Sequence, residues 1–420
     1  MACVVATACL ASLAEPVLAS AGGAAQPLTA SSAGRPKVKL KLSATRIAVG
    51  KRLTFAATVT GLSTAAGETP SPAPGASASP SATGGATASE SASPSATATA
   101  SSDAGSATDE AATRLEIVYS ADKRHWDGVK SAQLDAAGKA SAAVAWKQAG
   151  LWYFRACLPI GASGDEVCSA STRVKATPSS KRVKLPKNAL GITGALNFRE
   201  AVPGVVYRSG KLSGLTDADL KRLTKAGVTL VIDLRTPSIA KASPDRLPEG
   251  VEYQLVNLFA SATSPSTGAT PEAVLKNSVK RGAAFVTSAK QRATTAKVLK
   301  LIAAADGTVV IHCSEGKDRT GYISALLQLA SGADPAEAMA DYLLSNSYRA
   351  NYVADKVKAA KGAEAKLTAY LKYSVQPAFL DASLDALYDK YGSVDKFLKK
   401  GLGLEAKTVA KLKAKLSPAE

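Results

Sequence analysis

The chain has 420 residues, of which 46% are apolar and 20% are charged, and its formal net charge at pH 7 is +18. This length and apolar content suit two or three folded domains and exclude a wholly disordered chain. Because Lys and Arg are scattered and aromatic residues make up only 5% of the chain, we expect no nucleic-acid partner. A basic protein outside a cell is instead attracted to anionic polymers of the cell envelope, which we predict as a partner.

The N-terminal residues predict a secretory signal peptide. An apolar stretch at residues 4–14 precedes Ala-Ser-Ala at 19–21, which fits the small-x-small pattern of a cleavage site. We therefore expect residues 1–21 to be a signal peptide and the protein to be secreted or associated with the cell envelope. The alternative is a buried N-terminal helix. No later stretch reaches the ~18 consecutive apolar residues of a membrane helix, so we expect no transmembrane helix.

Residues 36–176 have the pattern of an all-β domain. Alternating apolar residues at 36–62 predict two antiparallel strands around a turn at Gly50. Further strands are expected at residues 114–119, 140–146, 151–157 and 167–174, with turns at 127–128 and 136–138. Residues 63–113 are almost entirely Ala, Ser, Thr, Pro and Gly, which predicts a disordered insert. The rhythm is typical of a β-sandwich and resembles the immunoglobulin-like modules of secreted bacterial proteins.

The five cysteines divide into three groups. Cys3 and Cys9 lie in the predicted signal peptide, Cys157 and Cys168 lie eleven residues apart in the all-β domain, and Cys313 stands alone. In an oxidising compartment Cys157 and Cys168 are a candidate disulfide. Cys313 has no partner cysteine left, and a free thiol in such a compartment indicates a chemical role for this residue. With two histidines and no Cys-x-x-Cys pair in the chain, we expect no metal site.

A basic linker at residues 177–189 precedes a region, 190–418, in which strand and helix patterns alternate. This alternation predicts an α/β domain with a parallel sheet and extra C-terminal helices. Strands are expected at residues 203–208, 228–235, 251–258 and 308–312, a helix N-cap at Thr216, a long helical region at 271–305, and several helices over 334–416. Asp233 and Arg235 end one buried strand, and charge at that end of a parallel strand indicates a ligand crevice.

The strand at 308–312 runs into the segment HCSEGKDRTG, residues 312–321, and a helical pattern follows it. A thiol at position 313, at a helix N-terminus beside Arg319, has a lowered pKa because positive charge and backbone N–H groups favour the thiolate. The same N–H groups suit a tetrahedral dianion, and Arg319 can bind two phosphoryl oxygens. Gly316 and Gly321 let the backbone approach the anion. These are the requirements of a cysteine-based phosphatase.

The segment resembles the C-x5-R phosphate loop of the protein tyrosine phosphatase superfamily. The matching residues are His312, Cys313, Gly316, Arg319, Thr320 and Gly321. With YRSG at 207–210 and VIDLR at 231–235, the chain is similar to the bacterial secreted tyrosine phosphatases of dual or triple specificity, the mycobacterial and Listeria-type enzymes among them. The likeness continues in DYLLSN at 341–346 and YGSVDKFL at 391–398. Where the family carries Asn-Phe-Arg-Asp-Leu-Gly-Gly, this chain has NFREAVPG at 197–204.

The resemblance implies a role for each loop residue. Cys313 would be the nucleophile, Arg319 the group that binds the phosphoryl oxygens, and Asp318 the general acid, with Asp233 as the alternative acid. The predicted phosphate-binding residues are Ser314, Glu315, Gly316, Lys317, Thr320 and Gly321, of which Thr320 would also stabilise the thiolate. The predicted supporting residues are His312, Asp233, Arg235 and Arg208, of which His312 would order the loop.

The resemblance also implies the reaction, which is hydrolysis of phosphotyrosine, and of phosphoserine or phosphothreonine, through a cysteinyl-phosphate intermediate without metal or cofactor. Phosphoinositide phosphatases also carry extra charge at the positions of Lys317 and Asp318, so lipid head groups are alternative substrates. A further alternative is a surface-binding protein whose phosphatase domain only recognises phosphorylated ligands. The presence of both Cys313 and Arg319 favours an enzyme, because binding alone needs no nucleophile. An ATP-binding Walker loop is excluded, since Ile311 stands where Gly is required and Lys317 precedes Asp.

Overall fold

The computed structural model describes residues 28–30, 35–64, 114–160, 165–261 and 268–417. The predicted signal peptide and most of the predicted insert, residues 65–113, lie outside this part of the chain. Within it, no helix is both long and apolar enough to cross a membrane. The described residues form an N-terminal region of strands and a C-terminal region of strands and helices.

The N-terminal region contains two larger sheets, whose strands pair antiparallel except for β3 with β11, and a small extra pair. Its strands are β1 (Leu28–Ala30), β2 (Lys37–Leu42), β3 (Arg46–Ala48), β4 (Arg52–Thr60), β5 (Leu62–Thr64), β6 (Arg114–Ser120), β7 (Asp127–Gln133), β8 (Lys139–Ala145), β9 (Gly150–Ile160), β10 (Asp165–Cys168) and β11 (Thr172–Thr177). One sheet has the order β2-β4-β8, and the other has the order β3-β11-β9-β6-β7, with β10 paired to β9. Strands β1 and β5 pair with each other.

The two larger sheets share an apolar core because alternate side chains of each face the other. In β4, Leu53, Phe55, Ala57 and Val59 are buried while the residues between them are more exposed. The ring centroids of Phe55 and Phe154, which belong to different sheets, lie 5.3 Å apart. The immunoglobulin-like assignment of this region stays a prediction.

Strands β2 and β4 pair antiparallel, as expected, and the chain turns at Gly50, whose φ is +85°. Three local details differ from the expectations. Strand β3 interrupts the expected hairpin and pairs in parallel with β11 of the other sheet, because alternation predicts a strand but not its partner. The turn expected at 127–128 lies earlier, where Asp122 Oδ1 accepts the backbone N–H groups of Arg124 and His125. Residues 63 and 64, assigned to the disordered insert, belong to β5.

The C-terminal region is built on one five-stranded sheet with helices around it. Its strands are β12 (Arg199–Val202), β13 (Val206–Ser209), β14 (Val228–Asp233), β15 (Glu252–Leu255) and β16 (Thr308–His312). The order is β12-β13-β16-β14-β15, and all neighbours are parallel except β12, which is antiparallel to β13. The predicted parallel sheet is therefore confirmed for β13, β16, β14 and β15 and wrong at β12, because a connection as short as 203–205 can join only antiparallel strands.

The helices follow the predicted order with two differences. They are α1 (Asp217–Lys225), α2 (Pro237–Ala242), α3 (Pro271–Thr287), α4 (Ala289–Ala304), α5 (Asp318–Ala330), α6 (Pro335–Tyr348), α7 (Ala350–Ala359), α8 (Ala363–Tyr373), α9 (Pro377–Tyr391), α10 (Val394–Lys396) and α11 (Ala406–Leu416). The expected helix at 271–305 divides at Ser288, whose hydroxyl caps α4. Helix α2 was not predicted. Helix α1 begins with a capping box between Thr216 and Asp219, in agreement with the expected N-cap.

The two regions are in direct contact. Leu151 of β9 packs with Val274 of α3 and with Leu367 and Leu371 of α8. Lys175 of β11 lies 2.8 Å from a Glu272 carboxylate oxygen and 2.7 Å from one of Glu364. Helices α3 and α8 of the C-terminal region therefore pack directly against strands of the N-terminal region.

Candidate active site

Cys313 directly follows β16, the central strand of the C-terminal sheet, and is 2% exposed. It is the free cysteine among the described residues. Burial raises the pKa of its thiol, but Arg319, the Thr320 hydroxyl and the backbone N–H groups of Glu315 and Thr320 together hold the pKa below its usual value. The Thr320 oxygen has no nitrogen or oxygen partner among the described residues. The site therefore favours a thiolate.

Two glycines, Gly316 in the turn between β16 and α5 and Gly321 in the first turn of α5, lie where a side chain would not fit. Gly316 has a φ of +66°, and a Cβ there would lie 2.5 Å from the carbonyl of Ser209. A Cβ on Gly321 would lie 2.7 Å from the ring of Tyr342, so this glycine lets α5 approach α6. Gly316 therefore shapes the turn itself, whereas Gly321 serves the packing of α5 on α6, and the expectation that both let the backbone approach an anion stays a prediction.

Two polar side chains from outside the loop, Asn197 and Arg208, hydrogen-bond to its backbone, and Arg199 and Asp341 support them. Asn197 Nδ2 and Arg208 Nη2 donate to the Gly316 carbonyl at 2.8 and 3.0 Å. Arg199 Nε donates to Asp341 at 2.8 Å, and Asp341 also forms an ion pair with Arg208. Burial opposes the charge of Asp341, but Arg208 and Arg199 hold the pKa of this carboxyl below its usual value. Asn197, Arg199 and Asp341 were missed as site residues, although the segments NFRE and DYLLSN that contain them had been recognised.

Arg319 lies at the start of α5 and lines the same cavity as Cys313. Its Nη1 donates to the Leu234 carbonyl at 3.1 Å, and its Nη2 donates to the Ser314 hydroxyl at 3.3 Å. The guanidinium carbon lies 4.6 Å from the centroid of the Phe259 ring. These contacts hold the planar group in one orientation, which suits the binding of two phosphoryl oxygens.

A cavity of about 250 Å³ opens above the thiol. The residues that line it are Phe259, Cys313, Ser314, Glu315, Lys317, Asp318, Arg319, Lys372 and Tyr373. The loop residues among them were predicted, whereas Phe259, Lys372 and Tyr373 were not, because no motif precedes or follows them. The predicted supporting residues His312, Asp233, Arg235 and Arg208 do not line this cavity.

Asp318 lies on the cavity wall in an ion pair with its neighbour. Lys317 Nζ is 2.9 Å from Asp318 Oδ2 and donates to the Ser374 carbonyl at 3.2 Å. Burial raises the pKa of Asp318, but Lys317, Arg281 and Arg349 outweigh burial and hold the pKa below its usual value. Lys317, predicted to bind phosphate, thus contacts the acid and the end of α8.

Asp233 lies below the loop in a buried cluster. Its carboxylate accepts from Arg235 Nη2 at 2.7 Å and from the Tyr253 hydroxyl at 2.8 Å. Burial opposes its charge, but Arg235 and His312 hold its pKa below the usual value. Asp245 completes the cluster, 2.5 Å from Arg235 Nη2 and 3.2 Å from His312 Nε2. The side chains of Asp233, Asp245 and His312 are close enough together to bind a metal ion. Arg235, however, forms ion pairs with both carboxylates and so supplies the positive charge that compensates them.

Comparison with known proteins agrees with this geometry. Residues 190–418 match the family described as "Tyrosine phosphatase family". The triple specificity protein phosphatase PtpB of Mycobacterium tuberculosis is 31% identical over 189 residues, which cover 37% of this chain and 68% of that protein. A tyrosine-protein phosphatase of Nostoc commune is 30% identical over 237 residues, or 52% and 76% of the two chains. The protein in a crystal structure of P. aeruginosa TpbA is 16% identical in sequence, the match covers 45% of this chain and 91% of that chain, and the TM-score is 0.23.

Proposed function

The chain belongs to the tyrosine phosphatase family, and from this premise we propose that it hydrolyses phosphotyrosine in proteins through a cysteinyl-phosphate intermediate. Phosphoserine and phosphothreonine are further substrates under this proposal. The observation that carries it is the Cys313 thiol, which has a lowered pKa and lies with Arg319 at the cavity of about 250 Å³. No metal or cofactor takes part in the proposed reaction.

In the first step the Cys313 thiolate attacks phosphorus. The S–P bond forms while the P–O bond to the leaving group breaks, and Asp318 gives its proton to the leaving oxygen. The backbone N–H groups of the loop and the Arg319 guanidinium bind the three non-bridging oxygens. In the second step water attacks phosphorus and passes a proton to Asp318. The S–P bond breaks, and inorganic phosphate and the thiolate are released.

The cavity walls favour an aromatic leaving group. Phe259 and Tyr373 both line the cavity, and aromatic side chains provide apolar surface for a phosphorylated ring. A phosphoinositide is the second candidate substrate, because Lys372 also lines the cavity and can bind a second phosphate. A surface-binding role without turnover is less well supported, since binding alone gives no reason to lower the pKa of Cys313.

The proposed location is outside the cell or at its envelope. The disulfide between Cys157 and Cys168 supports this location, since structural disulfides persist in oxidising compartments. The net charge of +18 supports attraction to anionic envelope polymers as well as to phosphorylated substrates.

Replacement of the nucleophile tests the reaction. Cys313→Ser should lower turnover of p-nitrophenyl phosphate by more than about 10³-fold, because a serine hydroxyl is not ionised near neutral pH. Binding of a phosphotyrosine peptide, measured by calorimetry, should persist because the loop and Arg319 are intact. Near-native turnover by this variant would exclude the covalent mechanism, and loss of wild-type activity with a chelator would exclude the metal-free one.

A further inference from the structure

The phosphate loop of this chain carries an acid that no step of the proposed reaction uses. Glu315 lines the cavity with Cys313, and its side chain is 24% exposed. A carboxylate in this position repels a phosphoryl dianion, and the repulsion is only partly screened because the site is largely buried. A compensating charge is therefore needed if the cavity is to bind phosphate.

Arg349 supplies that charge. Its side chain is fully buried, and its Nη2 lies 2.7 Å from Glu315 Oε2. Its Nη1 donates to the carbonyl of Tyr373, the last residue of α8 and part of the cavity wall. The Tyr352 hydroxyl donates to the other Glu315 oxygen at 3.4 Å, and the Tyr352 ring centroid lies 5.2 Å from the Arg349 guanidinium carbon. One buried cation thus joins the loop to the opposite wall.

We propose that Arg349 is a positioning residue for catalysis, which cancels the charge of Glu315 beside the bound phosphoryl group and holds the Tyr373 wall in place. This inference rests on the proposed function, since it requires that the cavity binds a phosphoryl dianion. It differs from an ordinary structural ion pair in one respect. The two partners have opposite effects on phosphate affinity, so their single replacements change that affinity in opposite directions.

The inhibition constant of inorganic phosphate against p-nitrophenyl phosphate measures this effect. Arg349→Met leaves the Glu315 carboxylate uncompensated and should raise that constant by about tenfold or more. Glu315→Gln leaves the Arg349 cation and should lower it by about two- to tenfold. The double variant restores the net charge and should return the constant to within about threefold of the wild-type value. Weaker phosphate binding in both single variants, with additive effects in the double variant, would overturn the proposal.

Two further variants separate charge from folding. Arg349→Lys keeps the charge but loses the planar double contact, so its inhibition constant should stay close to the wild-type value even if its thermal stability falls. Arg292→Met removes a partly buried arginine that donates to the carbonyls of Val286, Thr287 and Gly401. This control should lower stability and leave the inhibition constant unchanged. A weakened phosphate affinity in Arg349→Lys as large as that in Arg349→Met would also overturn the proposal.

The pH profile provides an independent readout. Arg349 contributes to the lowered pKa of Asp318, so the basic limb of the kcat profile should move to higher pH in Arg349→Met. An unmoved limb would contradict the proposed electrostatic role. A wild-type protein that neither turns over aryl phosphates nor binds phosphate would refute the proposed function itself. If the wild type is active but Arg349→Met and Glu315→Gln both weaken phosphate binding with additive effects, only this inference is refuted.

Discussion

At the scale of single residues, the two candidate acids lie in different surroundings. Asp318 lines the cavity that holds Cys313, whereas Asp233 is bound by Arg235 and Tyr253 beneath the loop. Both carboxyls have a lowered pKa in the absence of substrate. A phosphoryl dianion in the cavity would raise the pKa of Asp318, because like charge disfavours its ionised form. Asp318 is therefore the better candidate for proton donation.

Leaving-group dependence tests this assignment. Asp318→Asn should lower kcat on phosphotyrosine peptides by roughly 10²-fold or more, and on p-nitrophenyl phosphate by much less, because nitrophenolate leaves without a proton. The basic limb of the kcat profile should also disappear, since activity is lost as pH rises only where an acid must stay protonated. Asp233→Asn is the matched comparison. If Asp233→Asn, and not Asp318→Asn, loses activity selectively on phosphotyrosine peptides, then Asp233 at the end of β14 is the general acid.

The loop residues around Cys313 could be predicted from the sequence because they are contiguous, so that spacing alone brings them together. The rest of the site could not be predicted in this way. Asn197, just before β12, and Arg199, at its start, meet Arg208 of β13 and Asp341 of α6 only when these elements pack around the loop. Arg349 has no motif of its own, and its partner Glu315 is distant in the sequence.

At the scale of elements, periodicity predicted where most strands and helices lie, the antiparallel pairing of β2 with β4 and the parallel strands of the C-terminal sheet, but not the partners of β3 and β12. The buried run of β16 and the capping box of α1 were visible in the sequence, because they depend on neighbouring residues. The antiparallel edge strand β12 was missed because four residues provide too little pattern to detect. Strand β3 was missed because its parallel partner, β11, lies far along the chain.

The disulfide joins two adjacent strands, β9 and β10. Cys157 and Cys168 are directly opposite in the β9–β10 pair. Closing a loop of eleven residues removes entropy from the unfolded chain and stabilises the folded chain by roughly 3 kcal/mol. The double variant Cys157→Ala and Cys168→Ala should therefore lower the free energy of unfolding in urea by about that amount. Two free thiols in non-reduced peptides of the wild type, or an unchanged unfolding midpoint, would contradict this expectation.

At the scale of the whole molecule, a cluster of charges joins the N-terminal region to α9. His125, from the turn between β6 and β7, has Nδ1 2.8 Å from Asp122 and Nε2 3.1 Å from Asp385. Asp381 of α9 lies 4.0 Å from the same ring. Arg124 forms further ion pairs across the contact, with Asp385 and Asp389. Because both ring nitrogens face carboxylates, the contact favours a protonated His125.

Two groups in this cluster, Asp381 and His125, should each make the folded protein less stable as the pH rises. Burial and the like charges of Asp122, Asp385 and Asp127 raise the pKa of Asp381 to about 7, against an opposing effect of His125. Its proton is bound more tightly in the folded state, so stability is lost as pH rises from about 4 to 7. Burial opposes the charge of His125, but Asp122, Asp381 and Asp385 raise its pKa. The stabilisation that protonated His125 provides is complete below about pH 6.5, the pKa in the unfolded chain. It is lost as the pH rises through the higher pKa of the folded state.

The melting temperature of the wild type should therefore fall between pH 5 and pH 8, and Asp381→Asn should flatten this fall. The asparagine side chain does not titrate, so this variant removes the contribution of Asp381 to the pH dependence. His125 stays between Asp122 and Asp385. The matched control is Asp389→Asn on the same helix, whose carboxylate is 69% exposed; it should keep the wild-type slope. Each unit of removed pKa shift corresponds to about 1.4 kcal/mol, so the difference between the variants at pH 8 should be measurable by calorimetry. Equal slopes in Asp381→Asn and the wild type would show that this contact between the two regions does not control stability in that pH range.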